Sequence, residues 1–204
     1  MRVTKAEFVI SNTDVSKCPQ EALPEYAFIG RSNVGKSSLI NMLVDNKKLA
    51  KISGKPGKTQ LINHFKINGN WFLVDLPGYG YATVSKGKRS TFQKFIQDYF
   101  ITRKNLINAF VLVDSRHTPQ KIDLEFMQWL GEHGIPFSII FTKIDKLPSS
   151  KLNNTIFKYK KKLAETWDPL PPTFLTSATA KHGAESLLNY IGDINIKVDG
   201  KIEM

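Results

Sequence analysis

Eight consecutive residues, Gly30-Arg31-Ser32-Asn33-Val34-Gly35-Lys36-Ser37, follow the spacing G-x-x-x-x-G-K-[ST]. That spacing suits a triphosphate. Glycines let the main chain curl so that successive N–H groups converge on one point, where phosphate oxygens can sit. A helix beginning at the end of the loop adds its positive terminus. Lys36 supplies a full charge to the β- and γ-phosphates, and the Ser37 hydroxyl is a hard oxygen ligand suited to Mg²⁺. The surroundings are those the loop requires. Tyr26–Ile29 is an apolar run that reads as a strand entering Gly30, and Ser38–Val44 can continue as a helix. A glycine-rich turn that binds nothing has no need of that setting.

Further motifs follow at strand ends. Asp75-Leu76-Pro77-Gly78 comes after the apolar run Phe72-Leu73-Val74. A carboxylate there lies at the crevice where α/β sheets bind ligands. Asp75 can reach Mg²⁺ through water, and the Gly78 N–H can meet the γ-phosphate. Upstream, Gly57-Lys58-Thr59 offers a second magnesium hydroxyl in Thr59. Thr142-Lys143-Ile144-Asp145 ends the apolar run Phe137–Phe141. Asp145 can accept from guanine N1–H and N2–H, donors that adenine does not present, and a site built on such bonds discriminates by around 10⁴. The Lys143 stem can lie across the flat base. Thr176-Ser177-Ala178, after the last apolar run, offers a backbone N–H to guanine O6. Singly, Lys-x-Asp and Ser-Ala are common; their order along the chain carries the argument.

The elements that must position these residues can be read from periodicity. Strands are expected at Tyr26–Ile29, Leu61–Ile67, Trp71–Val74, Ile107–Val113, Phe137–Phe141 and Thr173–Leu175. Continuous apolar runs imply burial on both faces and so a largely parallel sheet. Leu61–Ile67 instead alternates and is followed by Asn68-Gly69-Asn70, which predicts a hairpin with an exposed antiparallel edge strand. Helical spacing links Phe92, Phe95, Ile96, Tyr99 and Phe100; then Leu124, Met127 and Leu130; then Leu152, Ile156, Tyr159 and Leu163; then Ala184, Leu187, Leu188 and Ile191. These stripes are core. The pattern predicts an α/β fold: a doubly wound, mostly parallel sheet of about six strands with one antiparallel edge strand and helices on both faces. Asp45–Gln60 and Leu76–Arg89 fit neither period and are expected to be irregular functional loops.

The chain has 204 residues, with Lys+Arg 29, Asp+Glu 18 and a formal net charge of +11. Such an excess suits a polyanionic partner. Lys47, Lys48, Lys51, Lys55 and Lys58, then Lys86, Lys88 and Arg89, fall in the irregular segments, where their order can change with the γ-phosphate. The run Lys158-Tyr159-Lys160-Lys161-Lys162 reads as a solvated helix face. With Cys18 as the one cysteine there is no disulfide framework, and no apolar run spans a bilayer; a cytoplasmic protein without a membrane partner is expected. His64, His117, His133 and His182 show no metalloprotease spacing and read as surface or structural histidines, and no serine sits in a nucleophile elbow.

Taken together, GRSNVGKS at Gly30–Ser37, GKTQL at Gly57-Lys58-Thr59-Gln60-Leu61, DLPGYG at Asp75–Gly80 and TKID at Thr142–Asp145 resemble the EngB family of bacterial small GTPases, within the group that includes TrmE, Era, EngA and the septins. The Glu21-Ala22-Leu23-Pro24 stretch also fits, and the resemblance covers nearly the whole chain. It implies one GTP-binding domain over residues 1–204, with 1–23 as an N-terminal extension. It also implies a monomeric Mg²⁺-dependent GTPase that binds GTP and GDP, assists assembly of the large ribosomal subunit through that subunit or its rRNA, and is needed for normal cell division and septation. By the same resemblance Lys36, Asn33, Thr59 and Gly78 carry the catalytic roles. Thr142 replaces the asparagine of most relatives, which implies modest nucleotide affinity, though threonine is usual in this family. Tyr79 lies where Ras-like proteins keep a water-orienting glutamine, which implies slow intrinsic hydrolysis. Asn33 implies a K⁺ between the α- and γ-phosphates in place of an arginine finger. Two other readings remain at this stage: a nucleotide-dependent RNA- or ribosome-binding module with negligible turnover, and a nucleotide kinase, against which Asp145 argues.

Overall fold

Apolar strands that bury both faces dictate the architecture. The computed structural model describes residues 1–46, 49–50, 61–79 and 86–198, side chains of 86–93 excepted. Among them, β1 (Ala6–Asn12), β2 (Glu25–Gly30), β3 (Ile62–Ile67), β4 (Trp71–Asp75), β5 (Leu106–Asp114), β6 (Phe137–Thr142) and β7 (Thr173–Leu175) form one sheet. The order is β1-β3-β4-β2-β5-β6-β7. From β4 to β7 all neighbours are parallel; β1 and β3 are antiparallel to theirs. The helices are α1 (Lys36–Leu43), α2 (Lys86–Thr102), α3 (Lys121–Glu132), α4 (Ser149–Leu163) and α5 (Ala184–Val198).

Alternate side chains of each central strand enter opposite cores. Ala27, Ile29, Val111 and Val113 face Tyr99, Met127, Leu130 and Tyr159 from α2, α3 and α4. Tyr26, Phe28, Phe110 and Leu112 face Leu39, Ile40, Leu187 and Ile191 from α1 and α5. Each such valine, leucine, isoleucine, methionine or phenylalanine contributes about 1.5–3 kcal/mol by burial.

The doubly wound, mostly parallel sheet is the expected class, with two differences in detail. The sheet has seven strands, because residues 6–12, within the stretch expected to be an extension, pair with β3 from Ala6↔Ile67 to Asn12↔Ile62. The Leu61–Ile67 strand is therefore not the exposed edge, and Leu61 lies outside it. Second, α2 begins at Lys86, inside the segment expected to be irregular through Arg89. Residues 47–48, 51–60 and 80–85, including Gly57, Lys58, Thr59, Gln60 and most of the loop lysines, lie outside the described residues.

Candidate functional site

Five parallel strands deliver their C-terminal ends to one rim, and every predicted motif that is described sits on it. The chain winds from β2 through α1 towards β3 and β4, then crosses by α2 to β5 on the other side of β2. Gly30 thus ends the strand at which the winding reverses, the place where such sheets bind ligands.

The loop Gly30–Ser37 is shaped by two positive-φ residues, Asn33 (φ 61°) and Gly35 (φ 104°). Gly35 caps α1, and the N–H groups of Lys36 and Ser37 in the first turn lack acceptors within the helix. Lys36 and Asp75, both buried, contact each other across the rim. Burial pulls the Lys36 ammonium down to about 7, while the touching carboxylate favours its charged form. A buried cation beside a buried anion suits a magnesium–triphosphate: Lys36 matches phosphate, and Asp75 with the half-buried Ser37 hydroxyl makes an all-oxygen donor set for Mg²⁺. Buried Leu76 and Pro77 lead to Gly78, where a Cβ would stand 2.7 Å from the Gly30 carbonyl oxygen and 3.3 Å from the Ser32 nitrogen. Only glycine brings the two segments that close. A backbone bridge between Arg31 and Tyr79 continues the contact.

The base motif is tied to the phosphate loop. The Thr142 hydroxyl donates to the Val34 carbonyl at 2.7 Å and lies 3.2 Å from that of Val113. Threonine therefore braces the loop through its hydroxyl. Lys143 (φ 60°) donates to the Asn33 carbonyl at 2.6 Å and to Asp114 Oδ2 at 2.9 Å. Burial alone would raise Asp114, but bonds from Arg116 and Lys143 hold it well below the usual carboxylate range. After Ile144, Asp145 accepts from Ser177 Oγ at 2.6 Å and pairs with Lys146 at 3.0 Å, contacts that lower its pKa, that from Ser177 most. The Thr176 and Ser177 N–H groups donate to Phe141 and His182 carbonyls, which leaves Ala178, among the described residues, as the free backbone donor there.

Tyr79 turns into the core. Its hydroxyl donates to Asp123 Oδ1 at 3.0 Å and its ring stacks on Phe126. Burial, then Asp123, pushes the phenol well above its ordinary pKa. Asp123, wholly buried in the first turn of α3, also takes Arg31 Nε at 3.0 Å. Sequence reasoning missed Asp114 and Asp123. Asp114 ends an apolar strand as Asp75 does, a usable signal; Asp123 carries none. His117, His133 and His182 are exposed as expected, whereas His64 is fully buried 3.3 Å from Glu25 without a well-aligned hydrogen bond. Cys18 is buried, its thiol pushed up to about 11 by desolvation, which suits a structural role.

A family model described as "50S ribosome-binding GTPase" matches residues 25–143. The probable GTP-binding protein EngB of Christiangramia forsetii is 64% identical over 195 residues, 96% of this chain and 98% of that protein. Its counterpart in Porphyromonas gingivalis is 63% identical over 195 residues, 96% of this chain and 97% of that one. The crystal structure of a probable GTP-binding protein engB superposes with a TM-score of 0.68 at 26% identity, covering 85% of this chain and 99% of that chain. Aquifex aeolicus Era bound to GDP and aluminium fluoride, 24% identical with a TM-score of 0.65 over 83% of this chain and 56% of that one, shares the fold. With a glycine-rich loop of phosphate-binding spacing and the carboxylates of Asp75 and Asp145 on one rim, and with relatives above 60% identity along nearly its whole length, the chain belongs to the EngB family of GTP-binding proteins, which are P-loop GTPases.

Proposed function

We propose that this GTPase is a switch in assembly of the large ribosomal subunit, holding the subunit or its rRNA when GTP is bound and releasing it after hydrolysis. The observation that carries the reading is the direct packing of Gly78 on Gly30 and Ser32, which couples the segment after Asp75 to the loop that meets the phosphates. In this reading Gly30, Arg31, Ser32, Asn33, Val34, Gly35, Lys36 and Ser37 hold the phosphates. Ser37, Thr59 and, through water, Asp75 hold Mg²⁺, which supplies charge neutralisation between the phosphates. Gly57, Lys58, Gln60, Leu61, Leu76, Pro77 and Gly78 follow the γ-phosphate. Thr142, Lys143, Ile144 and Asp145 take the base, and the free Ala178 N–H beside Thr176 and Ser177 takes guanine O6. The whole chain acts as one GTP-binding unit, monomeric and cytoplasmic, and supports division and septation. For location, the support is that no helix among the described residues is long and apolar enough to cross a membrane.

The partner assignment is supported by the description of the matching family model and by the net charge of +11. The test is multiple-turnover phosphate release with and without purified large subunits, together with co-sedimentation in GTP and in GDP. Stimulated release and GTP-dependent sedimentation are expected; equal sedimentation in both nucleotides removes the switch. The inward-turned Tyr79 favours one other reading, a nucleotide-dependent binding module with negligible turnover: its phenol is engaged by Asp123 and cannot orient water. Bound GTP that persists with subunits present would support that module. For Asn33, faster hydrolysis in KCl than in NaCl is expected if its side chain helps to hold K⁺, and equal rates remove that role.

A further inference from the structure

Helix α4 carries Lys151, Lys158, Lys160, Lys161 and Lys162 and no acidic residue. Its inner face is accounted for: Tyr159 and Leu163 are buried in the core, with Ile156 packed against it. The outer face is not. Phe157 projects there at 65% exposure. One turn of helix away on either side are Asn154 and Lys161, with Lys158 adjacent and Lys151 two turns back on the same stripe as Lys158. Lys162 pairs with Glu165, but among the described residues Lys151, Lys158 and Lys161 pair with no acid.

Ordinary helix chemistry explains only part of this. Lysines in the last turn complement the negative end of the helix dipole. Lys151 sits in the first turn, where that dipole opposes it. The phenyl ring adds apolar area that solvation of the lysines does not call for. A membrane-binding helix would present a broad apolar band, and a helix-binding partner an apolar stripe; here one ring stands among unpaired cations. That combination fits single-stranded nucleic acid, whose bases stack on aromatic rings while lysines neutralise the phosphates beside them.

We propose that the outer face of α4 is an RNA-docking surface on which Phe157 stacks on an unpaired base and Lys151, Lys158 and Lys161 meet the flanking phosphates. The inference rests on the ribosomal-RNA reading above and names the face that would make the contact. The helix leaves the base motif directly, since Asp145 lies four residues before Ser149, so Lys151 marks the end of the surface nearest the rim.

The experiment uses the full chain with a GTP analogue and a fluorescein-labelled 20-nucleotide oligouridine, read by fluorescence anisotropy over a salt series, with the same variants tested for co-sedimentation with large subunits. F157A is expected to weaken oligouridine binding about 5- to 150-fold and F157W to restore it, from the usual worth of one stacked base. Replacing Lys158 and Lys161 by Gln is expected to reduce the log–log salt slope by about 1.4, at about 0.7 per single-strand phosphate. GDP affinity should be unchanged in every variant, which shows that the fold is retained. If the wild type binds oligouridine and subunits and F157A binds them equally well, the α4 surface is overturned while the ribosomal reading stands. A weaker salt slope with a neutral F157A, or variants that lose anionic phosphatidylserine vesicles and keep RNA, also overturns it. If the wild type fails to sediment with subunits at all, the ribosomal reading itself falls.

Discussion

The proposed guanine site needs a carboxylate that is charged and held still, and both conditions at Asp145 come from neighbours. The Ser177 hydroxyl fixes Oδ1 and Lys146 sits on Oδ2. Its pKa is lowered, so the charge is present above that pKa and is lost only as pH falls through it. Asp145→Asn is expected to reduce GDP affinity by about 10³- to 10⁴-fold, without any gain for ADP, because one acceptor of the paired guanine donors is lost. Competition against a fluorescent GDP measures this. Ser177→Ala should weaken GDP binding by no more than about tenfold and move its acid limb to higher pH, since the contact that most lowers the carboxyl is gone. Asp145 was legible in the sequence because Thr142–Asp145 follows an apolar strand in its proper order after the phosphate loop and the Asp75 motif; Lys-x-Asp alone would not have marked it. The Ser177 side-chain role was not, because a serine hydroxyl has many possible partners and only the return of the chain at His182 turns it towards Asp145.

Between elements, the rim is held by cross-links that periodicity does not reveal, and two of them can be tested one residue at a time. Thr142, at the end of β6, bonds the phosphate-loop carbonyl of Val34. Thr142→Val keeps the shape and removes the donor, leaving that carbonyl without it at a cost of about 1–3 kcal/mol. GDP and GTP affinities should therefore fall together, about 5- to 150-fold, with no change in base preference; isothermal titration with both nucleotides checks it. Asp123 links α3 to Arg31 of the phosphate loop and to Tyr79 beyond Gly78. Asp123→Ala strands a guanidinium and a buried phenol, and a loss of about 3 kcal/mol in urea unfolding is expected. Asp123→Asn, which keeps an oxygen for Tyr79, should lose less. The strands and helices themselves were legible because alternate residues of apolar strands had to fill two cores. The links were not, since each joins residues far apart in sequence, Arg31 to Asp123 and Val34 to Thr142, and neither residue type nor local spacing marks the partner.

At the scale of the whole molecule the two ends of the sheet are built differently. The C-terminal rim keeps glycines, close backbone contacts and opposed charges for function. The opposite end is fastened by one wholly buried acid, Glu25 at the start of β2, which accepts from Tyr99 at 2.9 Å and Arg103 Nε at 3.1 Å and lies 3.3 Å from His64. β1 also escaped sequence reading for a reason at this scale: Phe8 and Val9 are exposed and the pairing partner is fifty or more residues away, so its short stretch shows neither a clean alternation nor an apolar run. Burial would raise Glu25, but the adjacent His64 and the hydrogen bonds from Arg103 outweigh it and lower the carboxyl. An acid lowered in the folded state adds stability above its unfolded pKa of about 4.3, and that contribution is lost as pH falls through the folded value. Arg103→Met removes the main cation and leaves the charge buried, so a loss of about 3 kcal/mol is expected at pH ~7. In the variant Glu25 is easier to protonate, and protonation lifts the burial penalty. The difference in urea midpoint between wild type and variant should therefore narrow as pH falls from about 7 to about 5. A gap that stays constant over that range would assign the loss to the packing of the Arg103 stem and not to the Glu25 charge.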